Sequence, residues 1–159
     1  MRVVSALLCA LALAQPASAR MWAVDEYSET PDGQLVLGMP ARGSLTDGFG
    51  PRWGRMHQGI DIGILKTLDL RAAASGTVEK TGWVNGYAGY GQVVVVDVGG
   101  GYETMYAHLS RVDVKPGAIL GAGGHVGLAG CTGSCTGTHL HFELRRRGTP
   151  VDPLPFTGR

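Results

Sequence analysis

Two of the five histidines, His139 and His141, are separated by a single residue in the stretch "GTHLHFELRRRG". Apolar residues alternate with polar ones from Leu140 onward, which predicts a β-strand. Side chains at positions i and i+2 of a strand leave the same face, so the two imidazoles are expected to lie side by side. Each residue rises roughly 3.3 Å along a strand, which places them about 7 Å apart along the backbone. Imidazoles in this arrangement can bind a metal ion or transfer protons.

Two other histidines lie in glycine-rich or strand-end sequence. His57 occurs in "MHQGIDIG" with Asp61 four residues later, and His108 occurs in "YAHLS". A catalytic zinc site has three protein ligands of nitrogen, oxygen or sulfur and one open position. His57, Asp61 and one histidine of the pair would supply three ligands. The other histidine of the pair and His108 would then act as acid/base or oxyanion-stabilising groups.

Each of these motifs alone occurs often by chance, and a His-x-His pair in a strand is often only a polar face. Together they account for four of the five histidines. This concentration favours one site over separate structural roles.

The elements that must position these residues are short β-rich runs broken by glycine, which makes up 26 of the 159 residues. The clearest is a hairpin, with strands over 92–98 and 102–108 joined by Gly99-Gly100-Gly101. The pattern predicts one antiparallel β domain over about residues 40–156. The other predicted strands cover residues 76–80, 118–120, 126–129 and 138–146.

Three segments, "TDGFGPRWGRMHQGIDIG", "MYAHLS" and "GTHLHFELRRRGTPVDPLPF", resemble the lysostaphin/LytM-type zinc metalloendopeptidases, which cut peptide cross-bridges of peptidoglycan. The resemblance runs from about Gln34 to Phe156. It implies an all-β fold with a substrate groove over an antiparallel sheet, and a peptidase domain over residues 34–157.

The same resemblance implies a role for each histidine of the set. His57, Asp61 and His141 correspond to the ligands of one zinc ion per chain, and His108 and His139 correspond to catalytic histidines. The implied function is hydrolysis of peptidoglycan cross-links or stem peptides by metal-activated water. Two alternatives remain: a non-catalytic wall-binding or amidase-activating module on the same fold, and a zinc peptidase acting on proteins. The presence of all five positions favours an enzyme.

The first 19 residues read as a secretory signal peptide, with a charged Arg2, an apolar run and a small-x-small cleavage signal at Ala17-Ser18-Ala19. Export to the periplasm or outside the cell is therefore expected. The apolar run is too short for a membrane span, and no transmembrane segment is predicted. Residues 20–33 are interpreted as a polar arm that either shields the groove or is a plain disordered terminus.

Net charge excludes a nucleic-acid partner. Lys and Arg number 14 against 13 Asp and Glu, and loss of Arg2 with the signal peptide leaves equal numbers. This balance provides no basic patch, and the run Arg145-Arg146-Arg147 is interpreted as a solvated strand end. Peptidoglycan is the expected partner, and the protein is expected to be monomeric.

Cys131 and Cys135 are the two cysteines left after the signal peptide. Their spacing is compatible with a second zinc site, but a second pair of ligands is missing, and an exported protein favours a disulfide. Tyr87 and Tyr90 are candidates for a groove wall, with ordinary rim aromatics as the alternative. His125 is interpreted as a solvent-facing loop histidine.

Overall fold

The computed structural model describes residues 34–158, which form short β-strands joined by turns and two 3-10 helices, Ala88–Tyr90 and Leu154–Phe156. The expected signal peptide and polar arm lie outside the described residues. Within residues 34–158, neither helix has the length and apolar character needed to cross a membrane. In chain order the strands are β1 (Ser44–Asp47), β2 (Gly50–Arg52), β3 (Arg55–His57), β4 (Ile60–Gly63), β5 (Asp69–Arg71), β6 (Gly76–Trp83), β7 (Gln92–Gly99), β8 (Tyr102–Leu109), β9 (Arg111–Val112), β10 (Ile119–Leu120), β11 (His125–Leu128), β12 (Leu140–Arg146) and β13 (Thr149–Val151).

Eight of these strands form one sheet in the order β1-β4-β12-β8-β7-β6-β10, with β13 paired to the end of β12. A second sheet contains β5, β11 and β9, and β2 and β3 form a separate hairpin. All pairings between these strands are antiparallel. The predicted all-β, antiparallel fold class is confirmed, and β7 and β8 form the hairpin expected around the three consecutive glycines.

The core lies on one face of the large sheet. On β12, Leu140, Phe142 and Leu144 are buried in it. Leu70 of β5 and Val126 of β11 belong to the same cluster, so the second sheet covers this face. The alternation seen in the sequence therefore has its expected cause, since every second side chain of β12 is buried against the second sheet.

The opposite face of the large sheet carries a smaller apolar cluster and the polar residues of β12. Strand alternation directs His141 and Glu143 to this face. They lie beside residues of the small cluster, because His141 pairs with Ala107 and Glu143 pairs with Met105 across β8. Burial of each valine or methionine side chain of this cluster contributes roughly 1.5–3 kcal/mol. The cluster consists of Val93, Val95, Met105 and Ala107, with Val84, Tyr87 and Tyr90 packed against it.

Candidate metal centre and groove

The first two candidate ligands are brought to β12 by a short turn. His57 ends β3, and Asp61 lies within β4, which pairs with β12 so that Asp61 is directly opposite His141. Gly59, in the turn between the strands, lies so close to β12 that a Cβ atom there would collide with the carbonyl oxygen of Phe142. Glycine at this position therefore permits the close approach that joins the motif around His57 to the histidine pair.

Three side-chain atoms converge on one point. His57 Nε2 lies 3.1 Å from His141 Nδ1 and 3.2 Å from Asp61 Oδ1, and His141 Nδ1 lies 2.8 Å from Asp61 Oδ1. Among the described residues, this trio is the cluster in which His, Cys, Asp or Glu atoms could share a metal ion. Ligands at 2.0–2.1 Å around a tetrahedral zinc ion are about 3.3 Å apart, so the trio is close to that size.

The hydrogen bonds on the far side of each ring determine which nitrogen faces this point. His57 Nδ1 donates to the carbonyl oxygen of Gly48 at 2.6 Å, and His141 Nε2 donates to Glu143 Oε1 at 3.0 Å. In the neutral rings, His57 Nε2 and His141 Nδ1 therefore present lone pairs. Two nitrogen lone pairs and a carboxylate oxygen therefore face one another. A metal cation can accept electron pairs from all three atoms. The residues present therefore fit a zinc ion by donor type, tautomer and separation.

The pKa values of Asp61 and His141 are both shifted towards the charged forms. Burial opposes the charged forms of both Asp61 and His141. The hydrogen bond with His141 and the nearby imidazoles outweigh burial at Asp61, so that its pKa is lowered. Hydrogen bonds with Asp61 and Glu143 outweigh burial at His141, so that its pKa is raised. The carboxylate is thus held in its charged, ligand-competent form.

His139 and His108 stand next to the trio. His139 Nε2 lies 3.7 Å from Asp61 Oδ1, and the ring centroids of His139 and His108 are 4.8 Å apart. His139 Nδ1 donates to the carbonyl of Gly137 at 2.8 Å, and His108 Nδ1 donates to the carbonyl of Thr132 at 2.8 Å. Both rings therefore keep Nε2 free for proton transfer. Burial is the main cause that lowers the pKa of His108, which favours its neutral form.

The position of His108 depends on a β-bulge that the sequence pattern does not indicate. On β8, Tyr106 belongs to the core cluster, so strict alternation would direct His108 to the core. The pairing of β7 with β8 shifts between Gln92 and Val94, where β8 contributes one extra residue, and His108 has a φ of 63°. Bulges change the direction of a side chain. The bulge in β8 places His108 in the groove with His57, His139 and His141.

Glu143 is a residue of the site that the sequence reasoning missed. Its side chain is 0% exposed, accepts a hydrogen bond from His141 and also accepts one from Arg145 Nε at 2.7 Å. Burial opposes its charge, but the hydrogen bond from His141, the neighbouring hydroxyl of Tyr90 and the charge of Arg145 lower its pKa. The spacing of His141 and Glu143, two residues apart on one strand face, was the available signal. The interpretation of Arg145 as part of a solvated strand end is wrong, because its side chain is 12% exposed and bonded to Glu143.

The two tyrosines proposed for the groove wall have different positions. Tyr90 lines the groove and donates to Gln58 Oε1 at 2.9 Å. Burial and Glu143 raise its pKa, so its hydroxyl remains protonated. The expectation for Tyr87 is corrected: it is outside the groove lining, and its hydroxyl accepts a hydrogen bond from Arg145 at 2.9 Å. Tyr87 therefore supports the residue that holds Glu143.

His125 lies within β11, so its interpretation as a loop residue is wrong. Its Nδ1 is 2.6 Å from Asp69 and its Nε2 is 2.7 Å from Asp113. Arg71 and Arg111 bond in turn to these two carboxylates. His125 thus joins the three strands of the second sheet and does not line the groove.

The cysteines lie in the loop that precedes β12. The structure joins Cys131 and Cys135 in a disulfide with Cα atoms 5.3 Å apart, within the usual range. Cys135 lines the groove. Gly130 pairs with His139 through an isolated β-bridge just before the cysteines, so the loop is closed at its base next to the candidate catalytic residue.

A β domain with a His-Asp-His trio open to a groove has the arrangement of a metal-dependent hydrolase. Residues 55–153 match the model of peptidase family M23, which covers more than half of the chain. The protein belongs to peptidase family M23. This confirms the resemblance to the lysostaphin/LytM-type enzymes and identifies the chain as a hydrolase.

The relatives include named bacterial peptidases. The chain is 40% identical over 100 residues to the DD-carboxypeptidase/endopeptidase Mpg of Neisseria meningitidis serogroup B, a match that covers 63% of this chain and 22% of Mpg. It is 33% identical to the catalytic domain of lysostaphin from Staphylococcus simulans, with a TM-score of 0.64, covering 72% of this chain and 91% of that domain. A zinc-containing peptidase from Vibrio cholerae is 28% identical with a TM-score of 0.66, covering 78% and 44% of the two chains. The chain spans about a fifth of the length of the first curated relatives it matches.

Proposed function

We propose that the protein is an exported zinc-dependent endopeptidase that hydrolyses peptide cross-links or stem peptides of peptidoglycan. The convergence of His57 Nε2, His141 Nδ1 and Asp61 Oδ1 carries this proposal, because these three atoms are close enough to share a metal ion within a groove. The family and the names of the relatives Mpg and lysostaphin support the substrate class.

In this function His57, Asp61 and His141 hold one zinc ion. When bound, zinc supplies a Lewis acid that polarises the scissile carbonyl and lowers the pKa of water towards about 7. Gly48 and Glu143 keep the two histidine ligands in the required tautomers through the hydrogen bonds at their opposite nitrogens. The ligands are thereby oriented before substrate binds.

His139 and His108 are proposed to transfer protons and stabilise charge on the substrate. Each ring directs one N–H to a backbone carbonyl, which leaves Nε2 able to accept a proton. His139 Nε2 can take the proton of the attacking water and return it to the leaving amine. His108 can donate a hydrogen bond from Nε2 to the developing oxyanion after it has accepted a proton from the attacking water through His139.

Digestion of purified peptidoglycan by the protein lacking residues 1–19 tests the proposal. Mass spectrometry should detect new amino and carboxyl termini within released peptides, and a metal chelator should abolish their release. If a protein substrate such as casein is cut while peptidoglycan is left intact, the enzyme is a zinc peptidase acting on proteins. If neither is cut but the protein still stimulates a wall amidase, the non-catalytic alternative is correct.

The metal assignment has its own test. His57→Ala and His141→Ala should each remove zinc from the purified protein, because a site with two remaining ligands binds the ion weakly. Zinc content is measured by atomic emission on the folded variants. His125→Ala is the matched control, since this histidine lies outside the groove, and it should retain one zinc ion per chain. Full zinc occupancy in His141→Ala would contradict the assignment.

A further inference from the structure

The β2–β3 hairpin, which ends at the candidate ligand His57, carries an exposed tryptophan at its tip. Trp53 and Gly54 form the two-residue turn of this hairpin, since Arg52 pairs with Arg55. Trp53 is 92% exposed and lines the same groove as the metal trio. Leaving a large apolar ring in water forgoes the stabilisation that its burial would provide. The guanidinium of Arg52 lies 5.6 Å from the ring centroid, but burial does not account for a tryptophan at this position.

The backbone at Trp53 is also unfavourable for tryptophan. Trp53 has a φ of 46° and Gly54 a φ of 77°, so both central residues of the turn have left-handed conformations. Such hairpin turns favour Asn-Gly or Asp-Gly, because asparagine and aspartate tolerate this conformation far better than bulky residues. Residues kept in such conformations concentrate at functional sites. Of the four non-glycine residues with positive φ in residues 34–158, three line the groove: Trp53, Ile64 and His108.

Two arginines flank the ring. Arg52 and Arg55 are directly opposite one another on the hairpin, and like charges in that position destabilise a sheet. Arg52 forms ion pairs with Asp47 and with Asp61 Oδ2, the latter at 3.5 Å. Arg55 is exposed and has no ion pair within residues 34–158. The hairpin therefore presents an aromatic face beside an uncompensated positive charge, at one end of the groove.

We propose that Trp53 and Arg55 form a subsite for the saccharide–peptide part of the substrate, distinct from the residues that act on the scissile bond. The apolar C–H face of a sugar ring stacks on the indole of Trp53, and a carboxylate of the attached peptide pairs with Arg55. Peptidoglycan carries both features, because its acidic stem peptides are joined to a glycan. This inference rests on the proposed function and extends it to the glycan side of the substrate.

The subsite accounts for the presence of Trp53 and Arg55 on the hairpin. A ligand carboxylate compensates the charge of Arg55, and a stacked sugar covers the exposed ring of Trp53. Because Trp53 lines the same groove as His57, Asp61 and His141, a substrate held at the hairpin tip can extend towards the metal trio. Binding energy gained here orients the peptide at the reacting centre.

The test measures binding to insoluble peptidoglycan in a His139→Ala background, so that the wall is not digested. Trp53→Asn should weaken binding about fivefold to tenfold, the size expected for loss of one aromatic stacking contact. The same variant should keep or raise the melting temperature, because asparagine suits the turn. Trp83→Asn is the matched control: Trp83 is 66% exposed but lies outside the groove lining, and its variant should bind like the parent.

The charge is tested separately. Arg55→Gln should weaken binding and reduce its dependence on salt, and Arg55→Lys should restore most of the affinity because it retains the charge. Amidation of the carboxylates of peptidoglycan should weaken its binding to the parent protein. The resulting affinity should equal that of Arg55→Gln for unmodified peptidoglycan. Unchanged binding by Trp53→Asn, or a melting temperature lowered by several degrees, would identify Trp53 as a structural turn residue and overturn the subsite. If the subsite variants lose binding but the unmutated enzyme cuts no wall peptide, the proposed function fails and the subsite stands.

Discussion

The Nε2 nitrogen of His141 lies 3.0 Å from Oε1 of Glu143, two residues further along the same strand. The bond is fully enclosed, since Glu143 is 0% exposed and is held from the other side by Arg145. Nδ1 of His141 is thereby directed to the candidate metal point. A buried carboxylate that fixes one tautomer of a histidine also increases the basicity of the opposite nitrogen.

Removal of this carboxylate should weaken metal binding without removing a ligand. Glu143→Leu is expected to lower zinc affinity about 10- to 100-fold, the usual effect of losing such a partner. Competition with a chromophoric chelator measures the affinity directly. Glu103→Leu on β8 is the control for loss of a glutamate, and it should leave the affinity unchanged. Equal affinities in the two variants would show that Glu143 has only a structural role.

His108→Ala and His139→Ala should separate catalysis from metal binding. Each should retain zinc and lose on the order of 10²-fold or more in rate, because each removes one proton-transfer group. Zinc content and the rate of peptide release are measured on the same preparations. If His139→Ala loses zinc while His141→Ala keeps it, the roles within the pair are reversed.

The bond between Cys131 and Cys135 should be present in the exported protein. Mass spectrometry without reductant is expected to show the loss of two protons, and the double variant Cys131→Ser/Cys135→Ser should still fold and bind zinc. The ring is so short that loop entropy contributes roughly 2 kcal/mol at most. The main effect is therefore expected on the loop before His139, as reduced activity or heat resistance. Two thiols that alkylate freely in the native exported protein would contradict the bond.

Tyr106 should make stability depend on alkaline pH. Burial raises its pKa to about 12, and its hydroxyl accepts a hydrogen bond from the backbone N–H of Ala73 at 2.7 Å. The unfolded chain releases the phenolic proton near pH 10 while the folded chain keeps it. The contribution of Tyr106 to the free energy of unfolding is therefore fully present below pH 10. It declines as pH rises towards 12, by on the order of 2–3 kcal/mol.

Tyr106→Phe should remove this decline between pH 10 and 12. It should also lower the free energy of unfolding at pH 7 by about 1–3 kcal/mol, because the buried N–H of Ala73 loses its acceptor. Urea unfolding at pH 7 and pH 11 measures both effects. Tyr102→Phe, on the same strand but half-buried, is the control for loss of a hydroxyl. The same pH dependence in Tyr106→Phe and the unmutated protein would contradict the assignment.

Much of the candidate site could be predicted from short-range sequence patterns. The alternation from Leu140 onward predicted β12 and the shared face of its histidines, because side chains of a strand alternate with a period of two. Three consecutive glycines predicted the turn between β7 and β8. The spacing of His57 and Asp61 is weak evidence alone, and its combination with His108 and the histidine pair predicted a shared site.

The tertiary structure decided the features that depend on register and burial. The extra residue that β8 contributes opposite β7 directs His108 to the groove, whereas local periodicity would place it in the core. Arg145 and His125 look solvated in the sequence, but strand pairing and packing place each side chain beside carboxylates of the fold. A sequence pattern reports the period of a strand and the chemistry of its side chains. Which atoms face one another across the sheet depends on long-range pairing, and only that pairing determines the lone pairs presented to a metal.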